Sequence, residues 1–236
     1  MRPDAPLQVL VLPYAGGSPN DFRALQEQLP AEIGLVPGIY PGRDRRLREA
    51  PLRQMEPLVA ELQAGLGPLL RRRYAILGHS MGAWVGYALC LSLRQAGLPL
   101  PEHLIVNARR APACPDPFPP VHMLPEAAFL EAMQQRYAAI PPLLLQDPGL
   151  LSIFLPALRA DMELIETFVA PAAPPLPLPL TAVGGRQDPT VTEAELQAWK
   201  SYSARSFQLH TVEGGHFFHK VPAFAELLRQ SLLDDS

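Results

Sequence analysis

Short runs of consecutive apolar residues recur along the chain, and most are bounded by glycine, proline or charged residues. Such runs are typical of strands that are buried on both faces of a parallel sheet. The pattern predicts strands at residues 8–12, 34–40, 73–77, 103–107, 178–184 and 206–212.

Between these runs, apolar residues are spaced three and four positions apart, which is the period of an amphipathic helix. The spacing predicts helices at residues 58–70, 83–95, 193–202 and 222–233. Another helix is expected to begin at Ser18, because serine is a favoured N-cap and Pro19 suits the first helical position. Strands that alternate with helices predict an α/β fold, with a mostly parallel central sheet flanked by helices.

The alternation stops after the fourth predicted strand. Residues from about 112 to 171 contain two or three amphipathic segments rich in Leu, Met, Phe and Ala, and proline clusters mark both ends. We interpret this stretch as a helical lid inserted into one domain that spans residues 1–236. A chain of 236 residues is long enough to bury a sizeable core in a single domain.

The pentad Gly78-His79-Ser80-Met81-Gly82 lies between the third predicted strand and a predicted helix. It has the form of a nucleophile elbow, a strained strand-to-helix turn that exposes a serine hydroxyl. The N–H of Met81, at the start of the helix, then points towards any oxyanion that forms beside Ser80. The pattern also fits an ordinary turn, because glycine and serine are common turn residues.

A serine nucleophile needs a histidine base and a carboxylate that orients it, and an elbow serine is followed first by the acid and then by the histidine. His216 is the best base, because it follows the last predicted strand through a glycine turn, at the sheet edge where ligands bind. His210 lies inside that strand and His219 begins the next helix, so both are more easily explained as structural residues. The side chain of His79 is expected to diverge from the serine hydroxyl.

Asp188 is the best acid, because it follows the fifth predicted strand and a single αβ unit separates it from His216. Its alternative role is turn formation in an Asp-Pro pair with Pro189. Asp161 is the main rival, but it lies in the helical stretch 158–163, where a charge more often faces solvent.

The segment Pro13-Tyr14-Ala15-Gly16-Gly17-Ser18 follows the first predicted strand. Backbone N–H groups in this turn can complete an oxyanion hole with Met81, and Ala15 is the favoured second donor. A glycine-rich turn after a first strand can instead bind a phosphate. However, the sequence has neither the dinucleotide-binding glycine pattern nor the P-loop lysine, so nucleotide binding is disfavoured.

Composition narrows the classes of function. Apolar residues make up 48% of the chain, charged residues 18% and the formal net charge is −3, which is typical of a soluble globular protein and disfavours nucleic-acid binding. No apolar run is long enough for a membrane span or a signal peptide, so a cytoplasmic location is expected. The cysteines, Cys90 and Cys114, lack metal or redox spacing. No coiled-coil heptad calls for a partner subunit, so we expect a monomer.

Two arginine clusters remain, Arg43-Asp44-Arg45-Arg46 and Arg71-Arg72-Arg73. The simplest interpretation places both on the solvated surface. Their alternative role is to attract an acidic partner or a phosphate group on a substrate.

Six motifs, in order, resemble one family, the type II thioesterases that accompany nonribosomal peptide and polyketide synthases. They are Pro13-Tyr14-Ala15-Gly16-Gly17-Ser18, Tyr40-Pro41-Gly42-Arg43, Gly78-His79-Ser80-Met81-Gly82, Arg109-Arg110-Ala111-Pro112, Leu158-Arg159-Ala160-Asp161 and Gly214-Gly215-His216-Phe217-Phe218. The resemblance extends from about residue 10 to residue 218. The chain departs from it at Asn107-Ala108, where the family often has Ser-Gly, and at Pro37-Gly38-Ile39, which affects strand boundaries more than chemistry.

The resemblance implies an α/β-hydrolase fold with Ser80, Asp188 and His216 as the catalytic triad. It also implies that Ala15 and Met81 supply the oxyanion N–H groups. No metal or organic cofactor is required for such a reaction.

The same resemblance implies a proofreading function, in which misprimed or stalled acyl thioesters are hydrolysed from the phosphopantetheine arm of carrier-protein domains of a synthase. The lid, at about 112–171, would then cover the acyl pocket. The apolar stretches 143–145 and 150–155 fit an adaptable wall for the acyl chain, and ordinary helix packing explains them equally well.

Two alternatives stay open. One is a thioesterase of fatty acid synthesis or a small-ester hydrolase with the same triad. The other is a carrier-protein binding module that keeps the fold without turnover, although such a module has no need of Ser80, Asp188 and His216 together.

Overall fold

The computed structural model describes residues 2–137, 140 and 146–233. At its centre is a sheet of six parallel strands in the order β2-β1-β3-β4-β5-β6. The strands are β1 (Leu7–Leu12), β2 (Ile33–Pro37), β3 (Arg73–His79), β4 (Leu104–Asn107), β5 (Leu180–Gly185) and β6 (Phe207–Val212). Each strand overlaps a predicted one, so the predicted α/β fold is confirmed.

The strand order places two of the candidate segments side by side. β1 lies between β2 and β3, so the chain proceeds towards one edge of the sheet from β1 and towards the other edge from β3. Ligands of open parallel sheets bind beyond the carboxyl ends of the strands at such a reversal. Leu12 of β1 pairs with Gly78 of β3, so the turn after β1 and the pentad after β3 are neighbours.

Helices cover both faces of the sheet. They are α1 (Arg23–Gln28), α2 (Met55–Gly65), α3 (Met81–Gln95), α4 (Glu126–Tyr137), α5 (Pro148–Thr167), α6 (Glu193–Gln197) and α7 (Pro222–Leu233). Alternate residues of β1 enter two cores, because successive side chains of a strand point to opposite faces. Leu10 and Leu12 join the core beneath α2 to α5, whereas Val9 and Val11 join the core beneath α1 and α7. None of the described helices is long and apolar enough to cross a membrane.

Several element boundaries differ from the sequence prediction, among them the ends of β2 and α2. β2 ends at Pro37 because the chain then leaves the sheet edge and carries Tyr40 to the end of β1, where its hydroxyl donates to the carbonyl of Pro13 (3.4 Å). α2 ends at Gly65, earlier than predicted, because a helix does not continue through the residue before Pro68.

The predicted insertion contains α4 and α5. The stretch 143–145, one of the two expected to form an apolar wall, lies outside the described residues. Within the other, 150–155, Leu155 is buried, whereas Leu150 and Ile153 are exposed. Most of this second stretch therefore faces away from the core.

Candidate active site

Ser80 lies at the turn between β3 and α3, with φ of 54° and ψ of −112°. A positive φ is unfavourable for a residue with a side chain, so this turn is strained. Its N–H donates to the carbonyl of Asn107 on β4 (2.8 Å), which holds the turn in place. A side chain at Gly78 would overlap the backbone of α3, and one at Gly82 would overlap the carbonyl of Leu12. The pentad therefore forms the predicted elbow.

Three side chains from separate loops meet at this edge of the sheet. Ser80 Oγ donates to His216 Nε2 (3.0 Å), and His216 Nδ1 donates to Asp188 Oδ2 (2.8 Å). All three residues are buried. The structure thus brings together the serine, histidine and aspartate selected from the sequence. In such an arrangement the carboxylate fixes the histidine tautomer, and the Nε2 lone pair faces the serine hydroxyl.

The loops that carry the histidine and the aspartate are bonded to one another. The N–H of Gln187 donates to the carbonyl of Gly214 (3.0 Å), and the N–H of Gly214 donates to the side-chain oxygen of Gln187 (2.5 Å). A side chain at Gly185 would overlap the carbonyl of Gly214, so the loops approach as closely as glycine allows. These contacts set the separation between the ends of β5 and β6.

Thr190 completes the surroundings of Asp188. Its hydroxyl and its N–H both donate to Asp188 Oδ1 (2.7 and 2.9 Å), and its hydroxyl lies 3.0 Å from His216 Nδ1. Burial raises the pKa of Asp188, but the hydrogen bonds from His216 and Thr190 outweigh it and hold that pKa below its ordinary value. Asp188 therefore forms a turn through one oxygen and orients His216 through the other. Thr190 is not among the residues predicted from the sequence, although Asp-Pro-Thr is a pattern that favours such a turn.

His79 diverges from the serine hydroxyl, as expected. Its Nε2 donates to the carbonyl oxygen of His216 (2.8 Å), and its ring is packed against those of Tyr14, Phe217 and His219. Burial, followed by the nearby histidines, holds the pKa of His79 well below its ordinary value, so the ring is neutral. His79 thus helps to hold the backbone of His216, the candidate base, in position.

The other two candidate histidines have structural surroundings. His219 is 1% exposed and stacks on Phe22 with ring centroids 4.5 Å apart. Burial lowers its pKa to about 3. His210 Nε2 lies 3.1 Å from the side-chain oxygen of Gln208 on the same strand. Within the described ranges, no group of three or more His, Cys, Asp and Glu side chains is arranged to hold a metal ion.

The turn after β1 lines the same cavity as Ser80. Gly16 has a φ of 72°, a conformation that glycine adopts without strain. The N–H of Ala15 has no hydrogen-bond partner among residues 2–137, 140 and 146–233. The N–H of Met81 is the first of α3, where no carbonyl of the helix precedes it. Both groups are available to an oxygen bound beside Ser80.

The helices α4 and α5 lie over the site and close it. The cavity beside Ser80 has a volume of about 20 Å³, which is room for about one water molecule and for no acyl chain. Ser80 is only 5% exposed, whereas the elbow pattern predicted a solvent-exposed hydroxyl. The side chains that close the cavity are Met133 and Tyr137 of α4 and Met162 and Ile165 of α5.

Asp161 does not face solvent, so the expectation from its helical spacing is wrong. It is 2% exposed, accepts a hydrogen bond from the N–H of Gly16 (2.7 Å) and pairs with Arg43 (2.8 Å). The surface interpretation of the first arginine cluster is also wrong for Arg43, which is buried, although Arg45 and residues 71–73 are exposed. Helical periodicity could not reveal this pair, because the partners are 118 positions apart.

The two arginines of the motif Arg109-Arg110-Ala111-Pro112 are also buried. The guanidinium of Arg109 lies 3.8 Å from the ring centroid of Trp84. Arg110 pairs with Asp116 (2.7 Å) and donates to the carbonyl of Thr190 (2.7 Å). This motif therefore braces the start of the insertion against the loop that contains the candidate acid.

A profile of the thioesterase domain family matches residues 7–232. The matched region contains all six strands of the sheet and the loops that carry Ser80, Asp188 and His216.

One sequence relative is linear gramicidin dehydrogenase LgrE of Brevibacillus parabrevis, which is 36% identical over 220 residues, covering 92% of this chain and 84% of the relative. Its name refers to a dehydrogenase. The turn after β1 in the present chain, Ala15-Gly16-Gly17-Ser18, lacks the glycine spacing of a dinucleotide-binding turn. The name of this relative is therefore no guide to the chemistry at that turn.

Two solved structures are similar to this one over nearly their whole length. RedJ, a thioesterase from the prodiginine biosynthetic pathway of Streptomyces coelicolor, superposes with a TM-score of 0.90 at 34% identity, covering 98% of this chain and 92% of RedJ. YbtT, a type II thioesterase from the yersiniabactin NRPS/PKS biosynthetic pathway, gives 0.84 at 28% identity, covering 99% and 93%. Together with the profile match, these similarities establish that the chain belongs to the thioesterase domain family.

Proposed function

We propose that this protein is a type II thioesterase, which hydrolyses misprimed or stalled acyl groups from the phosphopantetheine arm of carrier-protein domains in nonribosomal peptide or polyketide synthesis. The observation that carries the proposal is the hydrogen-bonded chain from Ser80 through His216 to Asp188 in a member of the thioesterase family. The similarity to RedJ and YbtT, which belong to biosynthetic pathways of this kind, supports a carrier-bound substrate.

The reaction has two halves. In the first, His216 Nε2 accepts the hydroxyl proton as Ser80 Oγ bonds to the thioester carbonyl carbon. The C–S bond then breaks, and His216 returns the proton to the departing pantetheine sulfur. In the second half, water attacks the acyl-serine ester by the same route, which releases a carboxylic acid and restores Ser80. Asp188 holds the histidine ring and stabilises its charged form in both halves.

The negative charge of each tetrahedral intermediate resides on the former carbonyl oxygen. The N–H groups of Ala15 and Met81 donate to this oxygen, and donors that are already fixed in a water-poor site stabilise it strongly. Neither N–H has a hydrogen-bond partner in the part of the chain that the structure describes, which supports this assignment. Every step uses groups of the chain and water.

The proposal also assigns α4 and α5 to a lid within a single domain, inserted at about 112–171. An acyl group does not fit in a cavity of about 20 Å³, so α4 must move away from Ser80 when the substrate enters, whereas Asp161 holds α5 to the turn after β1. The volume left after this movement then sets the acyl groups that the enzyme accepts.

The function is tested by measuring acyl release from an acetylated, phosphopantetheinyl carrier protein, with acetyl-CoA and a simple acetyl ester as parallel substrates. We expect the carrier-bound acyl group to be hydrolysed with the highest kcat/KM and Ser80→Ala to abolish turnover of all three. Rates on the ester or on acetyl-CoA that equal the carrier rate would instead identify a general hydrolase. If wild type binds the carrier but no substrate is turned over, the protein is a binding module.

A further inference from the structure

Three of the six motifs have no part in the reaction described above, and two of these three meet at one turn of the fold. Tyr40-Pro41-Gly42-Arg43 follows β2, and Leu158-Arg159-Ala160-Asp161 lies in α5. Although they are far apart in the sequence, both meet at the turn after β1, which we name the oxyanion turn (13–17). This convergence places them next to a proposed oxyanion donor.

The oxyanion turn is held by hydrogen bonds on both sides of Ala15. On one side, the hydroxyl of Tyr40 donates to the carbonyl of Pro13 (3.4 Å). On the other side, the N–H of Gly16 donates to Asp161 Oδ2 (2.7 Å). The N–H of Ala15 itself is left without a partner among the described residues. Pro13 and Gly16 are therefore held by hydrogen bonds, while the N–H of Ala15 stays available to a ligand.

Arg43 and Asp161 form a bidentate ion pair. Arg43 Nη2 donates to Asp161 Oδ1 and Nη1 lies against Oδ2, both at 2.8 Å, and Nη1 also donates to the carbonyl of Gly17 (3.3 Å). Burial alone would lower the pKa of Arg43, but the charge of Asp161 and its hydrogen bond raise it above its ordinary value, so the guanidinium stays charged. Buried ion pairs of this kind contribute little to stability compared with apolar residues of similar size. We therefore look for the function of this ion pair in its hydrogen bonds to Gly16 and Gly17 of the oxyanion turn.

The helix α5 is packed directly on the oxyanion turn. A side chain at Gly16 would lie 2.7 Å from the ring of Phe154 and 3.0 Å from Leu158, both of which belong to α5. The same helix supplies Asp161. The position of this lid helix and the conformation of the oxyanion turn are therefore fixed by one set of contacts.

We propose that Asp161, oriented by Arg43, is a positioning residue that aims the N–H of Ala15 at the oxyanion while α5 lies over the site. This inference rests on the proposed function. It makes closure of the lid helix a condition for a complete oxyanion hole, in addition to its effect on access.

The test compares Asp161→Asn and Arg43→Lys with the control Glu163→Gln. Glu163 lies on the same helix and pairs with Arg53 (2.7 Å), so this control also weakens a contact between α5 and the rest of the protein, but not one with the oxyanion turn. Three quantities are measured for each variant. They are kcat and KM for a carrier-bound acyl thioester, the inhibition constant of an alkyl boronic acid, and the thermal unfolding midpoint.

The boronic acid forms a tetrahedral adduct with Ser80 Oγ, so its affinity depends on the oxyanion donors and does not require turnover. We expect Asp161→Asn to lower kcat by about 10- to 100-fold, since loss of a whole oxyanion donor costs about 100- to 1000-fold. The inhibition constant should rise in proportion, with KM nearly unchanged. Arg43→Lys keeps the charge but loses the bidentate geometry, so it should shift both quantities in the same direction by less. Glu163→Gln should change each by less than about twofold.

Unchanged kcat and boronate affinity in Asp161→Asn would overturn the inference, and so would a loss confined to KM or one matched by Glu163→Gln. If Asp161→Asn does not fold, Arg43→Lys decides between the same outcomes. A wild-type protein that binds the boronic acid but hydrolyses no acyl thioester would refute the proposed function, and the boronate affinities would still test the role of Asp161.

Discussion

At the residue scale, the candidate triad depends on more groups than the three that define it. Ser80, Asp188 and His216 can be predicted from the sequence because each lies in a short turn directly after a strand, with glycines or Asp-Pro beside it. Thr190 and His79 are harder to recognise, because they act through hydrogen bonds to Asp188 and to the backbone of His216. The bond from His79 depends on how separate loops meet, which local sequence does not encode, whereas Thr190 lies two residues from Asp188 in a pattern that favours turns.

Replacement of Thr190 by valine tests the first of these supporting bonds. Thr190→Val keeps the shape of the side chain but removes the hydroxyl that donates to Asp188 Oδ1 (2.7 Å). We expect kcat/KM for an acyl thioester to fall about tenfold, the effect of losing one hydrogen bond to a charged group. Thr190→Ser, which keeps the hydroxyl, should stay within about threefold of wild type. Equal activities of the two variants would show that the hydroxyl has no role.

His219 makes the stability of the protein depend on pH. Its pKa is about 3 in the folded protein, because of burial, and about 6.5 in the unfolded chain. The unfolded state therefore binds more protons between these values. The stability that the neutral ring contributes is complete above pH 6.5 and is lost as the pH falls from 6.5 towards 3.

Phenylalanine at this position removes the titration and preserves the stacking on Phe22. Between pH 7.5 and pH 5 the free energy of unfolding of wild type should decrease by about 2 kcal/mol more than that of His219→Phe. Urea unfolding at the two pH values measures this difference. Burial keeps His79 neutral in both folded proteins over this pH range, so it contributes equally to the two decreases, and parallel decreases would contradict the assignment to His219.

At the element scale, the parallel strands are readily predicted because their apolar runs are continuous. What the runs do not show is how closely α3 approaches β1 and β3. Gly82 and Gly86 lie one turn apart on α3, and both face the sheet. A Cβ at Gly82 would overlap the backbone carbonyl of Leu12, whereas one at Gly86 would lie 3.0 Å from a methyl group of Ile76. The side chain of Ile76 can shift to make room for a new methyl group, whereas the backbone of Leu12 cannot move without displacing β1.

These two glycines form a matched pair of variants. Gly82→Ala should destabilise the protein by about 3 kcal/mol or more, because β1 and α3 must separate. Gly86→Ala should stay within about 1 kcal/mol of wild type, since the gain in helix propensity offsets a tight side-chain contact. Chemical unfolding measures both, and a Gly82→Ala protein as stable as Gly86→Ala would exclude the close approach.

The lid helices are the least predictable elements. Their apolar spacing indicates helices, but the buried pairing of Asp161 with Arg43 joins positions 118 residues apart. For the same reason, the closed state of the site cannot be read from the sequence. The exposed Leu150 and Ile153 show that apolar residues in this region do not by themselves mark a pocket wall.

At the scale of the whole molecule, the sheet positions the candidate triad, and the proposed lid lies above it. Ser80, Asp188 and His216 follow β3, β5 and β6 of one continuous sheet. The cavity of about 20 Å³ beside Ser80 is lined by side chains of both α4 and α5. Binding of an acyl chain should therefore displace α4, while α5, which Asp161 joins to the oxyanion turn, and the sheet stay unchanged.

Hydrogen exchange on the protein inhibited by alkyl phosphonates tests this division. A phosphonate with a long alkyl chain, bound to Ser80, should increase amide exchange in α4, whereas a methyl phosphonate should leave it near the uninhibited level. The strands serve as an internal control, because their exchange should be the same in both adducts. If the long chain leaves the exchange of α4 unchanged, the acyl group enters by another route.

The decisive measurement is a single-turnover reaction of the protein with an acetylated, phosphopantetheinyl carrier protein, in which intact mass and peptide mass follow both partners over time. A type II thioesterase acting through Ser80 should transfer the acetyl group from the carrier to the Ser80 peptide and then release it as acetate. Ser80→Ala should leave the carrier acetylated. Deacetylation of the carrier by Ser80→Ala at the wild-type rate, with no acetylated Ser80 peptide in wild type, would contradict the proposed reaction.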